Sequence, residues 1–245
     1  MKQGIVTAAL LACASSAFAQ VGYPPQQSPY RDLRETMEVT FYSGYYRAKK
    51  DAARVAPVSG PIFGAHYQWR AGGPANLTVD VARIASERRV LDPEKNGSTT
   101  VGTETTVCAV KETTCKSAGV YRWPLYSLDG ALAMALTGER SFWRMVPEVK
   151  AGVGLVTDFH SQPDVGQFAF GTRFALNWGA GVRLLPGGRY SFRADITNRL
   201  YTVKYPVTYY VPADDGTTIF GPRQNRSAWL NNPAFTVGVS YMFSR

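Results

Sequence analysis

From residue 37 to the end of the chain, apolar and polar side chains alternate with period two over eight segments. That is the pattern of strands with one apolar and one polar face. The segments span about 37–47, 61–70, 76–88, 121–136, 142–158, 168–185, 189–204 and 234–244. In the second, Phe63, Ala65, Tyr67 and Trp69 alternate with polar His66, Gln68 and Arg70. In the sixth, Phe170, Phe174, Leu176, Trp178, Val182 and Leu184 oppose Gly171, Arg173, Asn177, Gly179, Gly181 and Arg183. In the eighth, Phe235, Val237, Val239, Tyr241 and Phe243 alternate with Thr236, Gly238, Ser240 and Met242. Three connections are tight and rich in Gly, Pro or small polar residues (71–75, 137–141 and 186–188). Four are longer (48–60, 90–120, 159–167 and 205–233), and long and short alternate strictly along the chain.

That alternation predicts an all-β, eight-stranded antiparallel up-and-down barrel over residues 37–245. The asymmetry of loop length suits a transmembrane barrel, with short turns on the periplasmic side and long loops outside. In a membrane barrel the apolar faces meet lipid and the polar faces line the lumen. The predicted interior therefore carries Asp80, Glu148, Lys150, Arg173, Arg183, Arg193, Asp195 and Arg199 as a charge network, with Asp129, His66 and Arg70 on the same faces. Buried charges must pair, and Glu148 with Arg173 is one such expected pair. Eight strands leave an interior just wide enough for side chains to fill. Trp69, Trp143 and Tyr190 lie beside tight turns, and Tyr45, Tyr121, Trp123, Tyr201 and Tyr205 beside long loops. These two groups are expected to form the interfacial aromatic girdles.

Composition refines this picture. Lys2, the apolar run 4–12 and Ala17-Phe18-Ala19 predict a signal peptide over residues 1–19. Leu10-Leu11-Ala12-Cys13 offers a rival lipoprotein reading. A polar Pro/Gln-rich stretch then predicts a flexible periplasmic linker over residues 20–36. The formal charge of +9 becomes +8 without Lys2. The basic residues are scattered singly among aromatics, which argues for anionic lipid head groups and against nucleic acid. In an oxidising compartment Cys108 and Cys115 are expected to form a local disulfide in the longest loop.

Two stretches resemble the small outer-membrane β-barrel superfamily, the OmpA/OmpX/OmpW-like group, with the resemblance covering about 37–245. One is the Gly-rich hairpin from Phe174 through Leu185-Pro186-Gly187-Gly188-Arg189 to Ile196. The other is the last strand, where Thr236, Gly238, Tyr241 and Phe243 look like the family's C-terminal assembly signal, here followed by Ser244 and Arg245. The resemblance implies cell outer-membrane placement, contact with membrane lipid and lipopolysaccharide, and recognition by the barrel-assembly machinery. A monomer is expected.

The sequence holds no phosphate loop, paired metal-ligand motif or nucleophile elbow, so no cofactor, metal or catalytic residue is assigned. The expected role is structural or surface-exposed, adhesive or narrow-pored. The alternatives are a lipid A-modifying enzyme using His160 and Ser161, or a small-solute channel. Neighbouring residues on a strand point apart, so adjacency does not make His160 and Ser161 a dyad. Replacing His160 with Ala and examining lipid A by mass spectrometry separates the enzyme from the other readings.

Overall fold

A computed structural model of the chain describes residues 28–33, 35–94, 98–101, 104–107, 116–160, 162–214, 216, 218–221 and 223–244. The predicted signal peptide, Cys13, Cys108, Cys115 and Ser161 lie outside the described residues.

Eight strands close a barrel: β1 (Met37–Tyr46), β2 (Gly60–Gly72), β3 (Ala75–Ile84), β4 (Leu125–Ala135), β5 (Met145–Thr157), β6 (Thr172–Gly187), β7 (Tyr190–Lys204) and β8 (Ser227–Phe243). Each pairs antiparallel with the next, and β8 returns to β1 in register from Phe243↔Met37 to Ala234↔Tyr46. Closure gives each of the eight strands a hydrogen-bonded neighbour on both sides, the condition for crossing hydrocarbon with strands. Both chain ends of the barrel lie at the short-turn rim, and the long loops all emerge at the other.

The faces alternate as the residue types require. Phe41, Phe63, Val81, Leu128, Phe174, Ile196 and Val237 are each more than half exposed or nearly so, whereas Glu38, His66, Asp129, Glu148 and Arg193 are buried. A water-soluble protein does not leave so continuous an apolar belt open. Here water-like and oil-like surroundings are exchanged, with charge inside and hydrocarbon-like surface outside.

Several element boundaries differ from the sequence reading, each for a local reason. β8 begins at Ser227, with Pro233 inside it: residues 227–233 are in register with β7, strand pairing with β1 begins at Ala234, and the Pro233 carbonyl accepts a last bond from the Arg47 N–H at 2.8 Å. Proline's missing N–H is tolerated there because it falls where the β1–β8 ladder ends. β5 begins at Met145, since Arg140–Phe142 is a separate short strand and Trp143-Arg144 is the two-residue turn joining it to β5. Both turn residues are left-handed, with φ of 50° and 62°, the geometry a type I′ hairpin turn demands. The expected linker 20–36 is in part ordered pairing: Tyr30–Asp32 adds to Arg140–Phe142 at the short-turn rim. The alternation that suggested one strand to residue 88 continues into a different element. Glu87–Leu91 and Ser117–Arg122 form their own hairpin above the barrel.

The largest correction concerns what fills the barrel. Phe168 and Phe170, expected at the start of a lipid-facing strand, lie in the third long loop and are 1% exposed. They join an apolar core inside the long-loop end of the barrel. Inward strand residues Tyr46, Ile62, Ile84, Leu125 and Val203 pack there with loop residues Val55, Tyr209 and Phe220. Tyr201 and Tyr205, expected in the outer aromatic girdle, also belong to this core. Tyr201 is held by a 3.0 Å hydroxyl–hydroxyl bond to Tyr46 across the lumen. Outward-facing aromatics at the two rims include Tyr45 and Trp229 near the long loops and Trp143 and Tyr190 near the short turns.

Candidate functional site

Below the apolar core the lumen is crossed by a continuous charge network. Alternation aims residues of every strand inward, and the antiparallel register brings them to common levels. At the lower level Glu38 (β1) accepts from Arg183 Nη1 (β6) at 2.6 Å. Glu148 (β5) accepts from Arg193 Nη2 (β7) at 2.9 Å and meets Arg183 Nη2 at 3.2 Å. Gln68 (β2) ties these together, donating to Glu148 at 3.1 Å and accepting from Arg193 Nη1 at 2.7 Å. Arg193 Nε reaches Asp195 Oδ2 at 2.7 Å, and Lys150 Nζ stands 3.6 Å from Asp195 Oδ1.

At the next level Arg199 spans two carboxylates, Asp129 at 2.8 Å and Asp80 at 3.4 Å. Tyr42 donates to Asp80 at 2.6 Å, and His66 Nδ1 lies 3.5 Å from the same carboxylate. Space for these side chains comes from glycines on facing strands. Gly181 pairs with both Glu148 and Asp195, and a Cβ there would run into the Asp195 carboxylate and the Ala194 carbonyl oxygen.

Of the eight interior residues expected from sequence, Asp80, Glu148, Lys150, Arg183, Arg193, Asp195 and Arg199 meet in this network. Arg173 does not. It sits near the long-loop end of β6, pairs in register with Val156, and donates to the Ala169 carbonyl at 3.0 Å. Glu148 pairs half a strand-length away, at Gly181, so the expected Arg173–Glu148 pair is corrected to Arg183 and Arg193 with Glu148. Glu38 was missed, although its place between Met37 and Val39 on β1 put it on the polar face. Arg70 caps the short-turn end, donating to the Leu33 carbonyl at 3.1 Å.

The C-terminal residues Thr236, Gly238, Tyr241 and Phe243 lie in β8. Gly238 stands opposite Tyr42, and Thr236 opposite Gly44. Tyr241 packs edge-on against Tyr190 at 5.6 Å and stacks with Phe243 at 6.3 Å.

The long loops interlock above the lumen. Asp51 accepts from the Ala56 N–H at 2.9 Å and the Tyr205 hydroxyl at 3.0 Å. Thr208 donates to the Gly166 carbonyl at 2.7 Å. Arg88, 1% exposed, lies 4.0 Å over the Trp123 ring and 5.0 Å from Phe168, and pairs with Asp164 at 3.0 Å. Burial is the largest influence on both partners, raising the Asp164 carboxyl and lowering the Arg88 guanidinium from their ordinary values despite the pairing. His160 is an element of this packing, with its ring 4.9 Å from Trp123 and its backbone N–H on Asp158.

No family model matches the chain, and no curated protein matches it in sequence. Among solved structures it is similar to Neisserial surface protein A (TM-score 0.47, 11% identity, covering 84% of this chain and 97% of that one). It is also similar to the outer membrane protein OprG from Pseudomonas aeruginosa (0.46, 11%, 86% and 98%) and to Ail, the attachment invasion locus protein of Yersinia pestis (0.40, 15%, 86% and 100%). The strand pairing itself establishes the fold. Closed in eight strands, apolar outside and ion-paired within, the chain has the architecture of a small transmembrane β-barrel.

Proposed function

We propose that this chain is an integral outer-membrane barrel that serves as a closed, surface-exposed structural or adhesive protein, neither a pore nor an enzyme. The observation that carries the reading is the double obstruction of the lumen: an ion-paired layer lies beneath an apolar plug of loop and strand residues. A solute path would have to break both. The apolar belt supports immersion in lipid, and lipopolysaccharide and phospholipid are its proposed surroundings. The barrel-assembly machinery is its proposed partner during insertion, and the folded protein is proposed to be a monomer.

Single-channel recording in planar bilayers tests this. The expected result is no steady conductance from the folded, heat-modifiable protein. Large steady pores would show an open lumen and overturn the reading.

A further inference from the structure

The first long loop and the hairpin 87–91/117–122 enclose a pocket of about 240 Å³ at the outer rim of the barrel. Its walls are joined by two backbone-anchored contacts. The Val58 N–H donates to the Glu87 carbonyl at 3.0 Å, and the Ser86 hydroxyl to the Val58 carbonyl at 2.7 Å. Four cations line it: Lys49, Lys50, Arg54 and Arg89. None has an ion-pair partner among the described residues. The one acid in the lining, Asp51, is already engaged by Ala56 and Tyr205. Arg89 Nη1 is shielded from solvent yet has no hydrogen-bond partner among the described residues. An unpaired buried donor is costly, and Lys49, Lys50 and Arg54, exposed around the same hollow, add positive charge that favours an anion there.

We propose that this pocket binds a phosphorylated sugar. The guanidinium forks of Arg54 and Arg89 match the oxygens of a phosphate, and the two lysines add point charges suited to a dianion. Val58, Pro57 and Val120 offer an apolar wall for the C–H face of a sugar ring. The volume falls below the roughly 300–1,000 Å³ of sites for drug-sized ligands, a size that suits a single phosphorylated ring. The phosphorylated ring has two possible sources, a glycolipid head group in the surrounding leaflet or a free sugar phosphate. Only the first depends on the outer-membrane reading.

The test uses the full-length protein in phosphatidylcholine nanodiscs, titrated calorimetrically with glucose 6-phosphate and with glucose. The wild type is expected to bind the phosphate ester at millimolar concentration or tighter, and glucose at least tenfold more weakly. The Arg54→Gln/Arg89→Gln protein should bind the ester at least tenfold more weakly while retaining its heat-dependent gel shift. In nanodiscs containing lipopolysaccharide, loss of the soluble ligand's binding would identify the glycolipid head group as occupant, and undiminished binding would identify a free sugar phosphate. No binding by the wild type, equal binding of glucose, or no effect of the double substitution would overturn the proposal. Failure of the barrel reading would show separately, as absence of the gel shift in the wild type.

Discussion

Arg193 and Glu148 touch each other in the lumen at 2.9 Å, yet removing them should have unequal consequences. The ion-paired network holds five carboxylates (Glu38, Asp80, Asp129, Glu148, Asp195) and four cations (Lys150, Arg183, Arg193, Arg199). Glu148→Gln leaves four of each. Arg183 keeps Glu38 at 2.6 Å, Arg193 keeps Asp195 at 2.7 Å, and the new amide retains an oxygen to accept from Gln68. The loss is then the difference between charged and neutral hydrogen bonds, about 1–2 kcal/mol. Arg193→Gln leaves five carboxylates facing three cations and strips its guanidinium from Glu148, Asp195 and Gln68 at once. Breaking a buried pair so that charge is left uncompensated costs about 3–5 kcal/mol. Water entering the lumen would shrink both figures without changing their order. Urea-dependent folding into lipid vesicles, read by tryptophan fluorescence and by the gel shift, measures both. The expected gap of about 2 kcal/mol exceeds a tenfold change in the folding constant. Equal losses, or a greater loss for Glu148→Gln, would refute the charge-balance reasoning.

Gly181→Ala should destabilise the barrel by about 1–3 kcal/mol, because its Cβ meets the Asp195 carboxylate and a backbone carbonyl oxygen; a wild-type urea midpoint would show that the two strands separate easily there. Asp164, whose carboxyl is raised by burial, contributes stability that is full below the ordinary carboxylate range and is lost as pH rises through its folded-state value. A variant retaining only Trp123 should therefore report firmer loop packing at pH 4 than at pH 7, and the Asp164→Asn background should flatten that difference; an unchanged profile would remove Asp164 as its source. Phe243→Asp, near the interface, should cost about 0–1 kcal/mol thermodynamically but severely lower the amount of protein in the outer membrane if the assembly machinery reads the last strand. Normal levels of heat-modifiable protein would count against that signal.

The strands were legible in the sequence because each has one face in lipid and one in the lumen, so period-two alternation survives along its full length. Glu38 alternates with Met37 and Val39 as clearly as any residue in the network, so its inward face is legible in the sequence. Pro233 hid the first half of β8, since a proline ordinarily marks a strand's end and only the stagger of β1 against β8 makes it tolerable. Phe168 and Phe170 were misread for a deeper reason. Their spacing is that of a strand, but their burial is set by contacts with Tyr209, Tyr201 and other residues far along the chain. Arg173 was misassigned because alternation fixes a face and says nothing of height along the barrel. The four-cation pocket likewise arises from two loops whose approach no local pattern encodes.

The division of the lumen into a charged layer and an apolar plug follows from where each sits. Within the bilayer the outer belt is already apolar, so transferring more apolar side chains to the interior gains little over leaving them in lipid. An apolar interior there would also leave the two strand faces alike. A slip of one residue exchanges the faces of a strand, and nothing would oppose it. With the charges inside, the same slip would drive Lys150, Arg183, Arg193 or Arg199 into hydrocarbon, at about 2–4 kcal/mol for each such residue near the midplane. The network thus sets register and inside-out orientation whatever its net contribution to stability, consistent with buried ion pairs being weak stabilisers in themselves. Above the membrane the loops face water, where the hydrophobic effect operates in full. There Phe168, Phe170, Tyr209 and Phe220 can close the mouth of the barrel by burial, and charge is freed for the outer surface.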